Sequence, residues 1–90
     1  MDNKNSKKRL IKRLRIIAGQ IKGIEKMVEQ DKYCVDIITQ SLAAKAALSS
    51  IEDVVLENHL STHATRQMRT GNEAKAIGEI LKIYKLSKKK

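Results

Sequence analysis

The central part of the chain, residues 31–69, reads DKYCVDIITQSLAAKAALSSIEDVVLENHLSTHATRQMR. It is free of glycine and proline, which most often interrupt helices, and it is rich in Ala, Leu, Ile, Lys and Glu. We therefore expect one long helix over about residues 32–69. This helix would carry the chain's one cysteine, Cys34, and its two histidines, His59 and His63.

Cys34, His59 and His63 form a candidate metal site. The two histidines are four positions apart, so they share one face of a helix. Thiolate and imidazole together suit a soft or borderline metal such as Cu(I), Zn(II) or Ni(II). A straight helix rises about 1.5 Å per residue and would separate Cys34 from His59 by about 37 Å, whereas metal–ligand bonds are about 2.0–2.3 Å long. Unless the helix breaks, the donors of one site must come from two chains.

An antiparallel pair of these helices would bring Cys34 of one chain beside His59 and His63 of the other. The two-fold axis would pass near residues that are mostly small, as a close helix crossing requires: Ala46, Ala47, Leu48, Ser49 and Ser50. Symmetry would give two sites per dimer. Each donor also has an ordinary alternative, because a lone cysteine often packs as a small hydrophobic residue and a histidine pair can lie on an exposed helix surface.

Two further helices are expected, over about residues 7–30 and 73–86, with basic tails at 1–6 and 87–90. The first helix has an apolar heptad seam, formed by Leu10, Leu14, Ile17, Ile21, Ile24 and Val28. Asp31 is a candidate N-cap for the second helix, and Gly71 with Asn72 is a stop-and-restart signal. The third helix places Ala74, Ile77, Leu81 and Tyr84 on one face.

Length and composition limit the class of protein. Ninety residues make one domain, and a core without Phe or Trp must be aliphatic and small, so we expect oligomerisation. No apolar run is long enough to cross a membrane, and no signal-peptide pattern is present. A single cysteine excludes an internal disulfide and fits a reducing cytoplasm. An enzyme is not expected, because the chain lacks a glycine-rich phosphate loop and offers Cys34 no catalytic base within its own subunit.

The net charge of +9 is unevenly distributed. Basic residues concentrate in residues 1–24, where Asp2 is the one acid, and again at residues 82–90. This asymmetry favours a nucleic-acid partner over a merely solvated basic surface. RNA is less favoured than DNA, because Tyr33 and Tyr84 are too few for base stacking.

Two motifs resemble the CsoR/RcnR/FrmR family of bacterial repressors. They are RLRIIAGQIKGI at residues 13–24 and YCVDIITQ at residues 33–40, and the resemblance covers about residues 7–86. It implies an all-α fold with three helices per chain, an antiparallel four-helix-bundle dimer and a dimer of dimers. It also implies binding to double-stranded operator DNA, with release when an effector binds at the dimer interface.

The resemblance implies roles for further residues. Tyr33 and Glu79 match positions that join a hydrogen-bond network with the ligand histidine, and Glu79 would draw the third helix toward the site. Arg15 and Lys45 match basic positions implicated in DNA contact. With the neighbouring basic residues of the first helix, the expected DNA-binding set is Lys8, Arg9, Lys12, Arg13, Arg15 and Lys45.

The ligand pattern favours Cu(I) as the effector. Copper sensors of the family use Cys, His and Cys, and here the third position is His63. Nickel and cobalt sensors add a histidine near the N-terminus, formaldehyde sensors have proline where Asp2 stands, and persulfide sensors need a second cysteine. Zn(II), Ni(II) or Co(II) therefore follows as an alternative, then a formaldehyde-type sensor, and then an architectural DNA-binding protein without an effector.

Overall fold

The computed structural model describes residues 4–89, and within that range it contains helices and turns but no strand. The helices are α1 (Lys4–Glu29), α2 (Cys34–His59), α3 (Thr65–Arg69) and α4 (Glu73–Ser87), with a π-helical turn at Leu60–Ala64. His59 and Thr65, which flank the π turn, both have right-handed helical backbone angles. The run from α2 to α3 is therefore one continuous helical segment, and the predicted all-α fold with three helical segments is confirmed.

Helix α1 begins at Lys4, earlier than the predicted start at about residue 7. Residues 4–6 contain no helix breaker, so the first helix includes part of the predicted basic tail. The remainder of that tail, including Asp2, and Lys90 at the other end lie outside the described residues.

Asp31 ends α1 and does not cap α2, so its predicted role was wrong. Its φ of 53° lies in the left-handed region, which Asp tolerates better than most residues. The Asp31 N–H donates to the Val28 carbonyl at 3.1 Å, and the Lys32 N–H donates to the Met27 carbonyl at 2.9 Å. These two bonds satisfy the last carbonyls of α1 in a Schellman motif.

Gly71 ends α3 in the same manner, as predicted. Its φ is 81°, a conformation that a side chain would strain, and the Asn72 N–H donates to the Gln67 carbonyl at 2.7 Å. Asn72 precedes α4, but its side chain makes no capping hydrogen bond to that helix. The turn at Gly71 therefore ends α3 as predicted, but the predicted side-chain cap of Asn72 on α4 is not formed.

The chain divides into two compact units, residues 1–55 and residues 56–90. The core of the first unit is small and aliphatic: Leu10, Ile17 and Ile51 are buried, with Ala47 and Val54 packed against them. A Leu or Ile side chain contributes about 1.5–3 kcal/mol to the free energy of unfolding when it is fully buried. Every second member of the predicted α1 seam remains exposed in the single chain, namely Leu14, Ile21 and Val28.

In the second unit, α3 contacts α4, and small side chains are the buried ones. Ala64 in the π turn and Ala76 on α4 are 3% and 0% exposed. The apolar face predicted for the third helix is instead exposed, because Ile77, Leu81 and Tyr84 all retain about half of their accessible surface. None of the helices in residues 4–89 combines the length and the apolar character that a membrane span requires.

Candidate metal site and DNA-binding surface

Cys34 is the first residue of α2, and its thiol is exposed and free. The preceding residue, Tyr33, starts the helical hydrogen bonding, because its carbonyl accepts the N–H groups of Asp36 at 3.0 Å and Ile37 at 3.2 Å. The positive end of a helix dipole favours a negatively charged group at this position. The Cys34 sulfur therefore lies at the exposed N-terminal end of α2, where a partner can reach it.

The histidine pair lies at the far end of the same helix. His59 is the last residue of α2, His63 lies in the π turn, and their ring centroids are 5.5 Å apart with 30° between the ring planes. A π turn holds more residues per turn than an α turn, so residues four apart come closer to direct overlap. His63 is exposed and His59 half-buried, and the buried Nε2 of His59 has no hydrogen-bond partner among the described residues.

Hydroxyl side chains hold the π turn together. Thr62 Oγ1 donates to the Asn58 carbonyl at 2.7 Å, and Thr65 Oγ1 donates to the Leu60 carbonyl, also at 2.7 Å. These bonds satisfy carbonyls at the point where the helix changes its hydrogen-bond register. The π turn was not predicted, although the cluster of Ser61, Thr62 and Thr65 around His63 was a signal that could have suggested it.

Glu79 lies in the same unit as the histidines, half-buried on α4. Gln67 Nε2 donates to Glu79 Oε1 at 2.8 Å. This hydrogen bond is the main reason why the pKa of Glu79 lies below its ordinary value of 4.5, and the nearby positive charges of His59, Lys75 and His63 lower the pKa further, against the opposing effect of burial. Sequence reasoning missed Gln67, although positions 59, 63 and 67 follow a four-residue spacing that places them on one helix face.

Glu79 is expected to stabilise the fold only while it is ionised. Because its folded-state pKa lies below 4.5, its contribution is complete above about pH 4.5 and is lost as the pH falls through the lower folded value. Urea unfolding from about pH 7 to about pH 3 should show the stability advantage of wild type over Glu79→Gln shrinking below about pH 4.5. Glu57→Gln, at an exposed position of α2, is the control. If the stability difference between wild type and Glu57→Gln depended on pH in the same way, the effect could not be assigned to Glu79.

The described residues of one chain do not assemble a complete metal site. No three His, Cys, Asp or Glu side chains within residues 4–89 are arranged to hold a metal ion. Cys34 begins α2 and His59 ends it, and this helix of 26 residues is unbroken. The prediction of a site shared by two chains depends on this continuity of α2.

The basic residues predicted to contact DNA differ in their surroundings. Lys8, Lys12 and Arg15 are exposed along α1 and line a shallow groove with Ile11 and Ile16. Arg9 and Lys45 are also exposed. Arg13 is half-buried, and its guanidinium donates a hydrogen bond to Ser50 Oγ on α2. We therefore expect Arg13 to serve the packing of α1 on α2 more than contact with a polyanion.

Comparisons with known proteins agree with this arrangement of helices. Residues 6–85 match the family described as "Metal-sensitive transcriptional repressor". The copper-sensing transcriptional repressor CsoR of Bacillus subtilis is 37% identical over 87 residues, which cover 94% of this chain and 86% of that protein. The copper-sensing transcriptional repressor RicR of Mycobacterium tuberculosis is 47% identical over 60 residues, which cover 67% of this chain and 62% of that protein.

A solved structure extends the likeness to the whole fold. The crystal structure of the copper-sensing repressor CsoR with Cu(I) from Geobacillus thermodenitrificans NG80-2 superimposes with a TM-score of 0.91 and 32% sequence identity, covering 99% of this chain and 93% of that one. Fold and matches together define a helical, metal-responsive repressor of transcription. The chain belongs to the family of metal-sensitive transcriptional repressors. The predicted family is thereby confirmed, as is the prediction that the chain is a regulator and not an enzyme.

Proposed function

We propose that this protein represses transcription by binding double-stranded operator DNA and releases that DNA when Cu(I) binds at a site shared by two subunits. Cys34 of one chain, with His59 and His63 of the other, would hold the metal. The relatives described above are copper-sensing repressors, and one of them is known in a structure with Cu(I). The family relationship also supports DNA binding and oligomerisation.

The observation that carries the proposal is the buried Nε2 atom of His59, which has no hydrogen-bond partner among the residues that the structure describes. A buried polar atom without a partner costs free energy, so its presence calls for an explanation. A metal site supplies one, because one imidazole nitrogen becomes a ligand and the other then finds a hydrogen-bond acceptor. His63 adds a second nitrogen donor, with its ring 5.5 Å away. One sulfur and two nitrogens form a donor set that suits Cu(I).

The surface of α2 supports a shared site. Near the expected two-fold axis, Ala46, Leu48 and Ser49 are exposed in the single chain. An antiparallel copy of α2 could cover these residues and would place each Cys34 near the histidine pair of its partner. Pairing of such dimers into tetramers would cover further apolar surface, including Ile77 and Leu81 on α4.

Release of DNA would follow from a change in how α4 is held. His59, once one of its nitrogens is a ligand, would present the other N–H to the carboxylate of Glu79 and so bias the position of α4. A coupling of about 1–3 kcal/mol between metal and DNA binding is typical and corresponds to about 5–150-fold in affinity. By linkage, bound DNA must weaken metal binding by the same factor.

Anaerobic titration of the full chain with Cu(I), Zn(II), Ni(II) and Co(II) tests the proposal. The DNA probe is a fragment that the metal-free wild-type protein selects from a random duplex library, and fluorescence anisotropy measures its release. We expect Cu(I) to weaken DNA binding about 5–150-fold, together with a thiolate charge-transfer band. The same DNA affinity with and without each metal would contradict a metal sensor, and release by formaldehyde would indicate the formaldehyde-type alternative.

A further inference from the structure

The carboxylate of Glu79 is held by a residue to which neither the sequence nor the comparisons assign a role. Gln67 Nε2 on α3 donates to Glu79 Oε1 on α4 at 2.8 Å, and this bond joins the two helices of the second unit. Both side chains are half-buried. A hydrogen bond to a charged acceptor is stronger than one between neutral groups, so the contact favours the position of Glu79 beside α3.

Two buried side-chain atoms of the same unit lack a hydrogen-bond partner within residues 4–89. They are Nε2 of His59 and Oε1 of Gln67. His59 lies in the same unit, and its charge is one of the causes that lower the pKa of Glu79, whereas the hydrogen bond to the carboxylate comes from Gln67. Of the two candidate donors in this unit, Gln67 holds Glu79, and the buried Nε2 of His59 has no partner in the part of the chain that the structure describes.

We propose that Gln67 is a positioning residue that competes with His59 for the carboxylate of Glu79. This inference rests on the proposed function. In the metal-free protein, Gln67 keeps Glu79 away from His59. When one nitrogen of His59 serves as a metal ligand, the other is fixed as an N–H donor of increased strength. His59 then takes the carboxylate, and the amide of Gln67 is released.

This exchange gives Gln67 control over the concentration at which the sensor responds. Glu79 can move to His59 only if its hydrogen bond to Gln67 breaks. Because this break costs free energy, Gln67 lowers the affinity for metal. The spacing of the helix explains why one residue can do this, because Gln67 follows His63 by four positions, as His63 follows His59, and all three share one face.

Substitution of Gln67 by Met tests the competition. Met is similar in length but has no amide donor, and the change also removes the unsatisfied Oε1. We expect Gln67→Met to bind Cu(I) about three- to tenfold more tightly than wild type in anaerobic competition with a Cu(I) chelator, because a hydrogen bond that opposes binding is absent. Gln40→Met, on an exposed part of α2, is the matched control and should leave Cu(I) affinity unchanged.

The double variant separates competition from a general loss of packing. In a Glu79→Ala background, adding Gln67→Met should no longer raise Cu(I) affinity, because the contested acceptor is gone. A purely structural role for Gln67 predicts a lower melting temperature with unchanged or weaker Cu(I) binding, and that result would overturn the inference. Failure of the proposed function would give a different result, because Cu(I) would then leave the DNA affinity of the wild-type chain unchanged.

Hydrogen exchange of the Gln67 side-chain amide provides a test that needs no variant. In the wild-type protein, the NH₂ signals of Gln67 should exchange slowly without metal and faster after Cu(I) is added. Equal exchange rates in the two states would show that Gln67 does not release Glu79, and would overturn the proposal.

Discussion

Replacement of Cys34 by Ala is expected to leave DNA binding intact and to abolish its release by Cu(I). Cys34 is exposed at the start of α2, so the folded chain loses little packing when its sulfur is removed. The proposed site loses its one sulfur donor. Because loss of an outer-shell partner already costs about 10–100-fold in metal affinity, loss of the thiolate should weaken Cu(I) binding by more than about 100-fold. Anisotropy titration of the DNA complex with Cu(I) measures both effects.

Ser41→Ala, an equally small change at an exposed position of α2, serves as the control and should respond as wild type does. Release of DNA from Cys34→Ala at the wild-type Cu(I) concentration would exclude Cys34 as a ligand. A wild-type protein that is also unresponsive would instead point to an architectural DNA-binding protein.

Mixing two inactive variants tests whether the site is shared. A heterodimer of Cys34→Ala and His59→Ala contains one intact site if the donors come from different chains, because Cys34 of the second variant meets the histidines of the first. Cu(I) binding should therefore return to about one site per heterodimer, which is about half a site per dimer in an equimolar mixture after random subunit exchange. A site built within one chain predicts no recovery, since each chain of the mixture lacks one donor.

The metal-free protein is expected to lose DNA affinity steeply as salt rises. With about 6–10 phosphate contacts, affinity falls about 10³–10⁵-fold between about 50 and 200 mM salt. Lys12 is exposed on α1 within the basic groove that also includes Lys8 and Arg15. Lys12→Gln should therefore reduce the slope of log affinity against log salt by about 0.9 for each phosphate contact that is lost.

Lys32→Gln is the matched control, because it removes the same charge from an exposed residue in the turn after α1. Its slope should stay near the wild-type value. Arg13→Gln should also change the slope little, since the guanidinium of Arg13 is hydrogen-bonded to Ser50. An equal reduction in all three variants would mean that total charge, and not the α1 groove, determines DNA binding.

Several features of the fold were predictable because they depend on nearest neighbours along the chain. The absence of glycine and proline from residues 31–69 predicts a long helix, and the helical run from α2 to α3 covers residues 34–69 of that stretch. Gly71 ends it because glycine adopts a positive φ without strain. The role of Asp31 was harder to predict, because the same short polar side chain suits both a helix N-cap and a left-handed position at a helix C-terminus. Its backbone adopts the second of these.

The candidate site was predictable in part. The residue types and spacing of Cys34, His59 and His63 indicate metal binding and, given an unbroken helix, two chains. Glu79 was identified through its resemblance to the family alone, since position 79 has no distinguishing local pattern. These assignments stay predictions until the titrations are done.

The amino-acid sequence was sufficient for the helical class and the family, and it predicts the donor set, because helix propensity, charge and donor chemistry are properties of residues and their spacing. The π turn at Leu60–Ala64, the bond between Gln67 and Glu79 and the unsatisfied nitrogen of His59 emerged from the folded chain alone. The π turn and an α turn differ by one residue in hydrogen-bond register, so residue spacing alone does not distinguish them. In the folded chain, Thr62 and Thr65 donate to the carbonyls of Asn58 and Leu60. Gln67 and Glu79 meet because α3 contacts α4, and that meeting depends on the three-dimensional path of the chain.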